Sequence, residues 1–355
     1  MRRWAGISGA AYGAHFKHDL LRRFFSDGAM GQMSAIALLF TLAWMNDRNA
    51  GYPVGGSKAI IDGIVERFLA LGGHLRLSAK VEEILIANGA AVGVRMADGD
   101  TIMADWVASG ADGHATIHEL LGGRFRDQAL DDRFAKAQSF PSYVQVSLGV
   151  AQDLADQPGF VSRVVDAPLE LDPGTTLDTI GIRFFNFDPT FAPPGKTAVT
   201  CFLLTYNFAY WIDLRRDNPP RYAAEKQRVA DAVIDVLERR LPGIRNRIDT
   251  TDIATPASVV RFIGNWKGSM EGWIMTPAAV FEPMRQKLPG LGRFLMVGQW
   301  VRPGGGLPTG LMTARAAVQA ICHQDGLTFQ PPEAVGRSRA GASHAASWKL
   351  GDRPR

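Results

Sequence analysis

The sequence predicts an α/β unit that is interrupted by a second lobe of α+β character, and three observations carry this prediction. Residues 56–109 contain a helical pattern, short strands with two hairpin turns and a return strand, which is an order typical of an α/β layer. Residues 123–290 combine strand-like runs, one long amphipathic helix and many aromatic residues. Residues 294–321 add a short strand, a loop rich in glycine and proline, and a further helix. We expect the first and third segments to share one sheet, because that pairing buries their apolar strands.

Composition limits the class of protein. A chain of 355 residues that is 46% hydrophobic and 21% charged is typical of a globular protein with one large or two ordinary domains. The net charge of +4 comes without any nucleic-acid-binding motif, so we exclude nucleic acid as a partner. Two cysteines far apart fit a reducing compartment, and we expect a cytoplasmic location. Four basic pairs indicate solvated helix faces or, alternatively, peripheral contact with the inner face of a membrane: Arg2–Arg3, Arg22–Arg23, Arg215–Arg216 and Arg239–Arg240.

The first half of the chain carries clear local signals. Residues 15–45 are predicted to be helical, and the apolar run within them is too short to span a bilayer. Ser57 is the expected N-cap of a helix that Gly72 and Gly73 end. The dipeptides Asn88–Gly89 and Asp98–Gly99 tolerate the positive φ of tight hairpin turns. They separate the strands predicted at residues 81–87, 91–96 and 101–103, and further strands are predicted at residues 74–77 and 106–109.

The second half is predicted in the same way. Strands are expected at residues 143–150, 179–185, 197–206 and 294–297, and helices at 222–241 and 313–321. Residues 298–310 are expected to form a loop. The polar, low-complexity tail is expected to be disordered over residues 331–355.

Two blocks resemble phytoene desaturases and related FAD-dependent oxidoreductases. Residues 52–116 begin with YPVGG, continue through a helix, a GG turn, a V-x-x-I segment at Val81 and a GV-x-x-x-DG hairpin, and end in small residues followed by Asp112. Residues 293–321 contain RPGGGLPTG, which resembles the closing flavin-contact motif of the same family, and residues 255–273 also look similar. The resemblance implies an incomplete FAD-binding, Rossmann-like three-layer domain, made of residues 49–122 and 291–330, with an inserted substrate domain at 123–290. Residues 1–48 would be the helical N-terminal part of the substrate lobe.

The closing motif supplies most of the candidate cofactor residues. Consecutive glycines let backbone approach a ligand closely, and a helix N-terminus offers unpaired N–H groups and partial positive charge. Thr309 is the expected N-cap of the following helix, and in the family this end faces the edge of the flavin that gains negative charge on reduction. An ordinary surface turn is the alternative. The FAD-binding candidates are Val81, for backbone contact with the adenine, and Gly298, Gly304, Gly305, Gly306, Leu307, Pro308, Thr309 and Gly310.

Other residues remain open between two interpretations. Gly55 and Gly56 either line the cleft or only lead into a helix, and Asp112 either approaches the cofactor or caps a helix. No general base is assigned, and the spacing of His114 and His118 lacks a third ligand, so no metal site is expected. Core packing is the alternative for five aromatic residues that could wall a substrate tunnel: Tyr210, Phe262, Trp266, Trp273 and Trp300.

No G-x-G-x-x-G turn follows an apolar strand in this sequence. That turn normally seats the pyrophosphate of a dinucleotide on a helix N-terminus. We therefore expect an N-terminally truncated or split enzyme that depends on a nucleotide-binding segment or subunit. The function implied by the resemblance is FAD-dependent oxidation of an apolar, polyene-like substrate. The alternatives are a non-catalytic remnant or partner subunit that binds an apolar ligand or a protein, and an amine oxidase-like flavoenzyme.

Overall fold

A computed structural model describes residues 2–281 and 284–331, and this part of the chain is a mixed α and β structure with three sheets. Its helices are α1 (Arg2–Ala5), α2 (Gly9–Gly13), α3 (Asp19–Ser26), α4 (Gly28–Gln32), α5 (Ala35–Asn46), α6 (Gly56–Ala70), α7 (Gly113–Ala115), α8 (Gln128–Lys136), α9 (Phe208–Asp217), α10 (Pro219–Arg240), α11 (Pro256–Ile263) and α12 (Gly306–Gln324). Its strands are β1 (Val81–Ala87), β2 (Ala90–Met96), β3 (Thr101–Met103), β4 (Val107–Ser109), β5 (Ser142–Val150), β6 (Phe160–Asp172), β7 (Thr175–Phe184), β8 (Thr197–Thr205), β9 (Ile248–Ala254) and β10 (Phe294–Met296).

The expected pairing across the second lobe is confirmed. Strand β10 lies parallel to β4, with Phe294 opposite Val107 and Met296 opposite Ser109. All three side chains of β10 are buried, and Phe294 and Met296 join a core that also contains Ile117 and Trp300. The remote segments 107–109 and 294–296 therefore form one small parallel sheet.

The prediction of a strand at residues 74–77 is wrong. This described segment forms no strand, and Leu77 is 79% exposed. An apolar strand gains stability only when a neighbour satisfies its backbone groups and covers its side chains. The described residues place no such neighbour beside 74–77, so the apolar pattern alone does not produce a strand there.

Strands β1, β2 and β3 form the predicted antiparallel meander. Asn88 and Gly89 have φ of 49° and 73°, which are the values that a tight two-residue hairpin turn requires. The turn is attached to the chain that leads into β10, because the N–H of Gly292 donates to the carbonyl of Gly89 at 2.8 Å. This hydrogen bond thus holds the hairpin against the residues that precede β10.

The second lobe is built on a five-stranded antiparallel sheet in the order β6-β7-β8-β5-β9. Side chains of β5 alternate between buried and half-buried, and the buried face packs against α10. Sequence analysis missed β6 and β9, which are the two edge strands. Their outer residues are largely polar or exposed, so they lack the apolar alternation that identifies a strand covered on one face.

The N-terminal region is not the continuous helical run that the sequence predicted. Residues 15–45 contain three helices, α3, α4 and α5, instead of one helical run. Asp27 has extended backbone angles and Gly28 has a φ of 57°, which ends α3 and turns the chain. Ser34 separates α4 from α5, and its buried hydroxyl donates to the carbonyl of Ala5 at 2.9 Å. The break between α4 and α5 thus occurs at a buried polar side chain whose hydrogen-bond partner is remote in sequence.

The start of α6 also differs by two residues. Gly55, with a φ of 81°, is the N-cap, and Ser57 lies inside the first turn instead of capping it. The end is as predicted, because α6 stops at Ala70 and Gly72 takes a φ of 85°. The tail prediction for 331–355 falls, apart from residue 331, outside the described residues, and the domain boundaries stay predictions. Within the described chain, no helix is both long and apolar enough to cross a membrane.

Candidate functional site

The loop between β10 and α12 is folded back onto the helix that follows it. The N–H of Gly298 donates to the hydroxyl oxygen of Thr313 at 2.8 Å, and that hydroxyl donates to the carbonyl of Thr309 at 2.7 Å. The N–H of Gly304 donates to the carbonyl of Trp273 at 3.0 Å. Because Gly298 and Gly304 have φ of 94° and 109°, the loop follows a path that favours glycine.

The first turn of α12 starts earlier than the sequence indicates. Gly305 is the N-cap, with φ of 59° and ψ of −165°, and it provides no side-chain cap. Thr309, the predicted N-cap, lies inside the helix and is buried. Pro308 is tolerated because its missing N–H belongs to the first turn, where the donors have no helical partner. The N–H groups at this end therefore have no capping side chain.

An apolar cleft of about 230 Å³ opens beside this first turn. Ile60 and Ile64 of α6 form one wall, and Leu307 and Leu311 of α12 form the other. Gly306 and Gly310 also line the cleft, and a Cβ on Gly310 would meet no atom within 4 Å. The two blocks identified in the sequence thus meet at an apolar space bordered by a helix N-terminus. This arrangement fits a flat, largely apolar ring with a polar edge.

Glu271 is the residue that sequence analysis missed. Its carboxyl lies against the Gly305 backbone, so that a Cβ on Gly305 would overlap Oε2, and a Cβ on Gly306 would lie 3.6 Å from Oε1. Burial raises the pKa of Glu271 to about 7. No local sequence pattern indicated it, because its contact with Gly305 joins residues more than thirty positions apart. A partly buried carboxyl with a raised pKa is typical of functional sites.

Val81 belongs to a different sheet from the strand that leads into the glycine loop. Val81 begins β1 and pairs with Met96 in the three-stranded sheet, whereas the loop follows β10 in the two-stranded sheet. Its contact with a nucleotide stays a prediction.

Asp112 acts as a cap, which was one of its two interpretations. Its Oδ1 accepts from the N–H of Ala115, and its Oδ2 accepts from the N–H of Trp266, both at 2.8 Å. Burial raises the pKa of Asp112, and these backbone donors oppose that change. The carboxyl therefore ties α7 to the segment before Glu271.

The glycines that precede α6 contact the second lobe. The N–H of Gly55 donates to Oδ2 of Asp188 at 2.6 Å, and a Cβ on Gly56 would lie 3.0 Å from Cζ of Phe191. Both glycines have positive φ. Their role in this structure is a close approach between loops, and a contribution to the cleft stays a prediction.

The five aromatic residues do not form one wall. Trp266, Trp273 and Trp300 belong to a single cluster, with ring centroids 5.0–6.2 Å apart. Phe262 is 76% exposed at the end of α11, and Tyr210 packs against Trp211 in the second lobe. These two residues therefore lie outside the tryptophan cluster, and a substrate tunnel stays a prediction.

Two histidines lie beside the aromatic cluster. His114 stacks on Trp266, and its ring centroid is 4.3 Å from that of His118. Burial lowers the pKa of both imidazoles. No group of three or more His, Cys, Asp or Glu side chains that could hold a metal ion occurs in residues 2–281 and 284–331.

Known proteins resemble this chain in sequence and in fold. No protein-family model matches the chain. It is 28% identical over 317 residues to a lycopene-forming phytoene desaturase of Pseudescherichia vulneris, an alignment that covers 85% of this chain and 63% of that protein. It is 29% identical over 322 residues to the corresponding enzyme of a Paracoccus species, covering 86% and 62%. It is also 30% identical over 232 residues to the chloroplastic prolycopene isomerase of Arabidopsis thaliana, covering 63% and 38%. The chain thus spans less than two thirds of the length of these relatives.

Two solved structures share the fold. An oxidoreductase from Methanosarcina mazei superimposes with a TM-score of 0.57 at 20% identity, covering 89% of this chain and 68% of that one. A Pyrococcus furiosus protein superimposes with a TM-score of 0.52 at 16% identity, covering 92% and 69%. At these identities the likeness describes the fold alone.

Proposed function

We propose that this chain, which is similar in sequence to phytoene desaturases and prolycopene isomerases, forms the larger part of a FAD-dependent oxidoreductase that acts on an apolar, polyene-like substrate. The observation that carries the proposal is the apolar cleft at the N-terminus of α12. Both sequence blocks that resemble the family contribute to it, through α6 and through residues 306–311. The names of the relatives, phytoene desaturase and prolycopene isomerase, suggest the polyene class of substrate.

The residues around the cleft fit a flavin ring. Ile60, Ile64 and Leu311 offer apolar contact, and the backbone N–H groups of Gly306 and Leu307 lie in the uncapped first turn of α12. A helix N-terminus stabilises nearby negative charge by roughly 0.3–1 kcal/mol, and by about 2 kcal/mol where it is partly buried. A bound flavin would supply the capacity to accept hydride, whereas these residues would bind the ring, orient it and exclude water.

We also propose that the nucleotide half of FAD is held by a unit outside this sequence, either on the same polypeptide or on a partner subunit. Support comes from the small parallel sheet, in which β4 pairs with β10 and has no second strand beside it among the described residues. Parallel sheets are normally larger and covered on both faces. Added strands next to β4 would complete a Rossmann-like domain and would place a glycine turn near the pyrophosphate.

The N-terminal helices suggest where an apolar substrate is encountered. On α5, Phe40, Trp44 and Met45 are each more than 40% exposed, although the helix is almost wholly apolar. Exposed apolar patches of this kind mark interaction surfaces. We propose a cytoplasmic protein that contacts the membrane peripherally through α5.

Titration of the chain with riboflavin and with FAD tests the cleft. We expect both flavins to bind weakly and within about tenfold of each other, because we propose that the charge-assisted hydrogen bonds to the nucleotide half of FAD, each worth about 1.5–3 kcal/mol, come from the unit outside this sequence. Quenching of flavin fluorescence is the measurement. Leu311→Arg should abolish binding of both, since it places a charge in the cleft, whereas Val318→Arg changes an exposed residue of α12 that does not line the cleft.

Two outcomes would contradict the proposal. Absence of quenching by either flavin would exclude the cleft as a flavin site and would favour a non-catalytic, ligand-binding or protein-binding role. Tight, stoichiometric FAD binding by this chain would show instead that the nucleotide half is already held within it.

A further inference from the structure

The carboxyl of Glu271 lies against the backbone of the residues with which α12 begins. Its Oε2 lies against Gly305 and its Oε1 faces Gly306, the two residues that open the first turn. No side chain caps that turn. Among the described residues, the carboxyl has neither a hydrogen bond nor an ion pair. A polar group is therefore placed at an anion-favouring helix end without a partner of its own.

The surroundings of Glu271 contain no compensating charge. The carboxyl lies against Gly305 and Gly306, and the first turn of α12 carries no charged side chain. Arg302, the charged residue of the loop, is exposed. In the same segment as Glu271, Lys267 lies over the ring of Trp266, 4.0 Å from its centroid. Burial is the sole cause of the raised pKa, so ionisation places an uncompensated negative charge at the helix end.

We propose that Glu271 is a proton-controlled gate of the flavin cleft, in which the neutral carboxyl admits the electron-rich edge of the ring to the N-terminus of α12 and the carboxylate excludes it. The proposal rests on the proposed function, because it assumes that a flavin ring is the ligand of the cleft. The physical reason is competition for the same partial positive charge. An ionised Glu271, which lies beside that charge without a hydrogen bond to the helix end, repels a second electronegative group placed there.

The gate predicts that binding of the ring takes up a proton. The carboxyl of the free protein titrates near pH 7, and a bound electron-rich edge would raise that pKa further. Affinity is then constant below the pKa of the free protein and falls by up to about tenfold per pH unit above it. Substitution of a residue that only shaped the cleft would leave the pH dependence of the affinity unchanged.

Riboflavin is the probe for the test, because it carries the ring without the phosphates. Its dissociation constant would be measured by fluorescence quenching between about pH 5.5 and about pH 8.5, for the full chain and for three variants. Glu271→Gln should bind with the low-pH affinity of the wild type throughout this range. Glu271→Asp should retain a pH dependence, and the exposed Glu66→Gln of α6 should behave as the wild type.

A second measurement does not require the flavin. The titration of the Glu271 carboxyl would be followed by carbon NMR in the ligand-free chain, with the signal assigned by its loss in Glu271→Gln. A midpoint near 7 is expected. A midpoint near the ordinary glutamate value of about 4.5 would overturn the gate.

The outcomes separate the two proposals. Riboflavin binding with the same pH profile in the wild type and in Glu271→Gln overturns the gate and leaves the flavin cleft intact. Absence of riboflavin binding in every variant at every pH overturns the flavin cleft, and the gate with it.

Discussion

Two glycines five residues apart illustrate how differently a single methyl group acts at the same helix end. Gly305 combines a positive φ with ψ of −165°, a region that only glycine adopts without strain, and an added Cβ would overlap the Glu271 carboxyl. Gly310 has ordinary helical geometry and open space around its Cβ position. We expect Gly305→Ala to lower the free energy of unfolding by about 1–3 kcal/mol. Gly310→Ala, the matched control, should be neutral or raise it by about 0.5–1 kcal/mol. Urea denaturation measures both, and equal effects would contradict the described start of α12.

Glu271 should also make stability depend on pH. Its pKa is about 7 in the folded chain and about 4.5 without burial, so the folded state binds the proton more tightly. The stabilisation is fully present below about pH 4.5 and is lost as pH rises to about 7. A pKa difference of that size corresponds to at most about 3 kcal/mol, and partial solvent access reduces it. We therefore expect Glu271→Gln to be more stable than the wild type at pH 8 but not at pH 4.5, by urea denaturation at each pH. A constant difference between the two pH values would be the opposing result.

The loop at the start of α12 is recognisable in the sequence, but its chemistry is not. Three successive glycines predicted close backbone approach, and Gly304, Gly305 and Gly306 all have positive φ. Thr309 was misassigned because serine and threonine are common N-caps, whereas here the glycines let the helix begin four residues earlier. Glu271 could not be found, because its importance comes from burial and from a contact across more than thirty residues.

Among the elements, α6 depends on an anchor in the second lobe. Asp188 is buried and accepts from the N–H groups of Thr190 and Gly55, at 2.9 and 2.6 Å, and these hydrogen bonds lower its pKa. Asp188→Ala should therefore release the 52–56 loop and speed amide hydrogen exchange in the first turn of α6 by about tenfold or more at neutral pH. Asp156→Ala, at an exposed site of the same lobe, serves as the control. Unchanged exchange at Gly55 and Gly56 would contradict the anchor.

The elements that the sequence predicted well are those with local causes. The turns at Asn88–Gly89 and Asp98–Gly99 require positive φ that few residues tolerate, and the long amphipathic pattern of α10 is independent of its neighbours. Residues 74–77 failed because a strand needs a partner. Strands β6 and β9 were missed because they are held by backbone pairing at the sheet edges and not by an apolar pattern.

The whole molecule presents apolar faces to water on α5, α6 and α12. On α6, Ile61 and Leu69 are each nearly half exposed. We expect the chain alone to self-associate, and the pair Ile61→Lys with Leu69→Lys to reduce self-association without changing the free energy of unfolding by more than about 0.5 kcal/mol. Sedimentation velocity measures the first quantity and urea denaturation the second. Ala224→Lys on α10 controls for added charge, and equal self-association of all variants would indicate that another surface is responsible.

The pairing of β4 with β10 has a consequence for the order in which the protein is made. These strands leave the ribosome on either side of the whole second lobe, so β4 waits without its partner for on the order of ten seconds of synthesis. The five strands of the second lobe are contiguous in sequence and can close their sheet during that interval. The small parallel sheet, and with it the start of α12, is therefore completed last, and nascent chains that stall before Phe294 carry a folded second lobe beside an unfinished cleft.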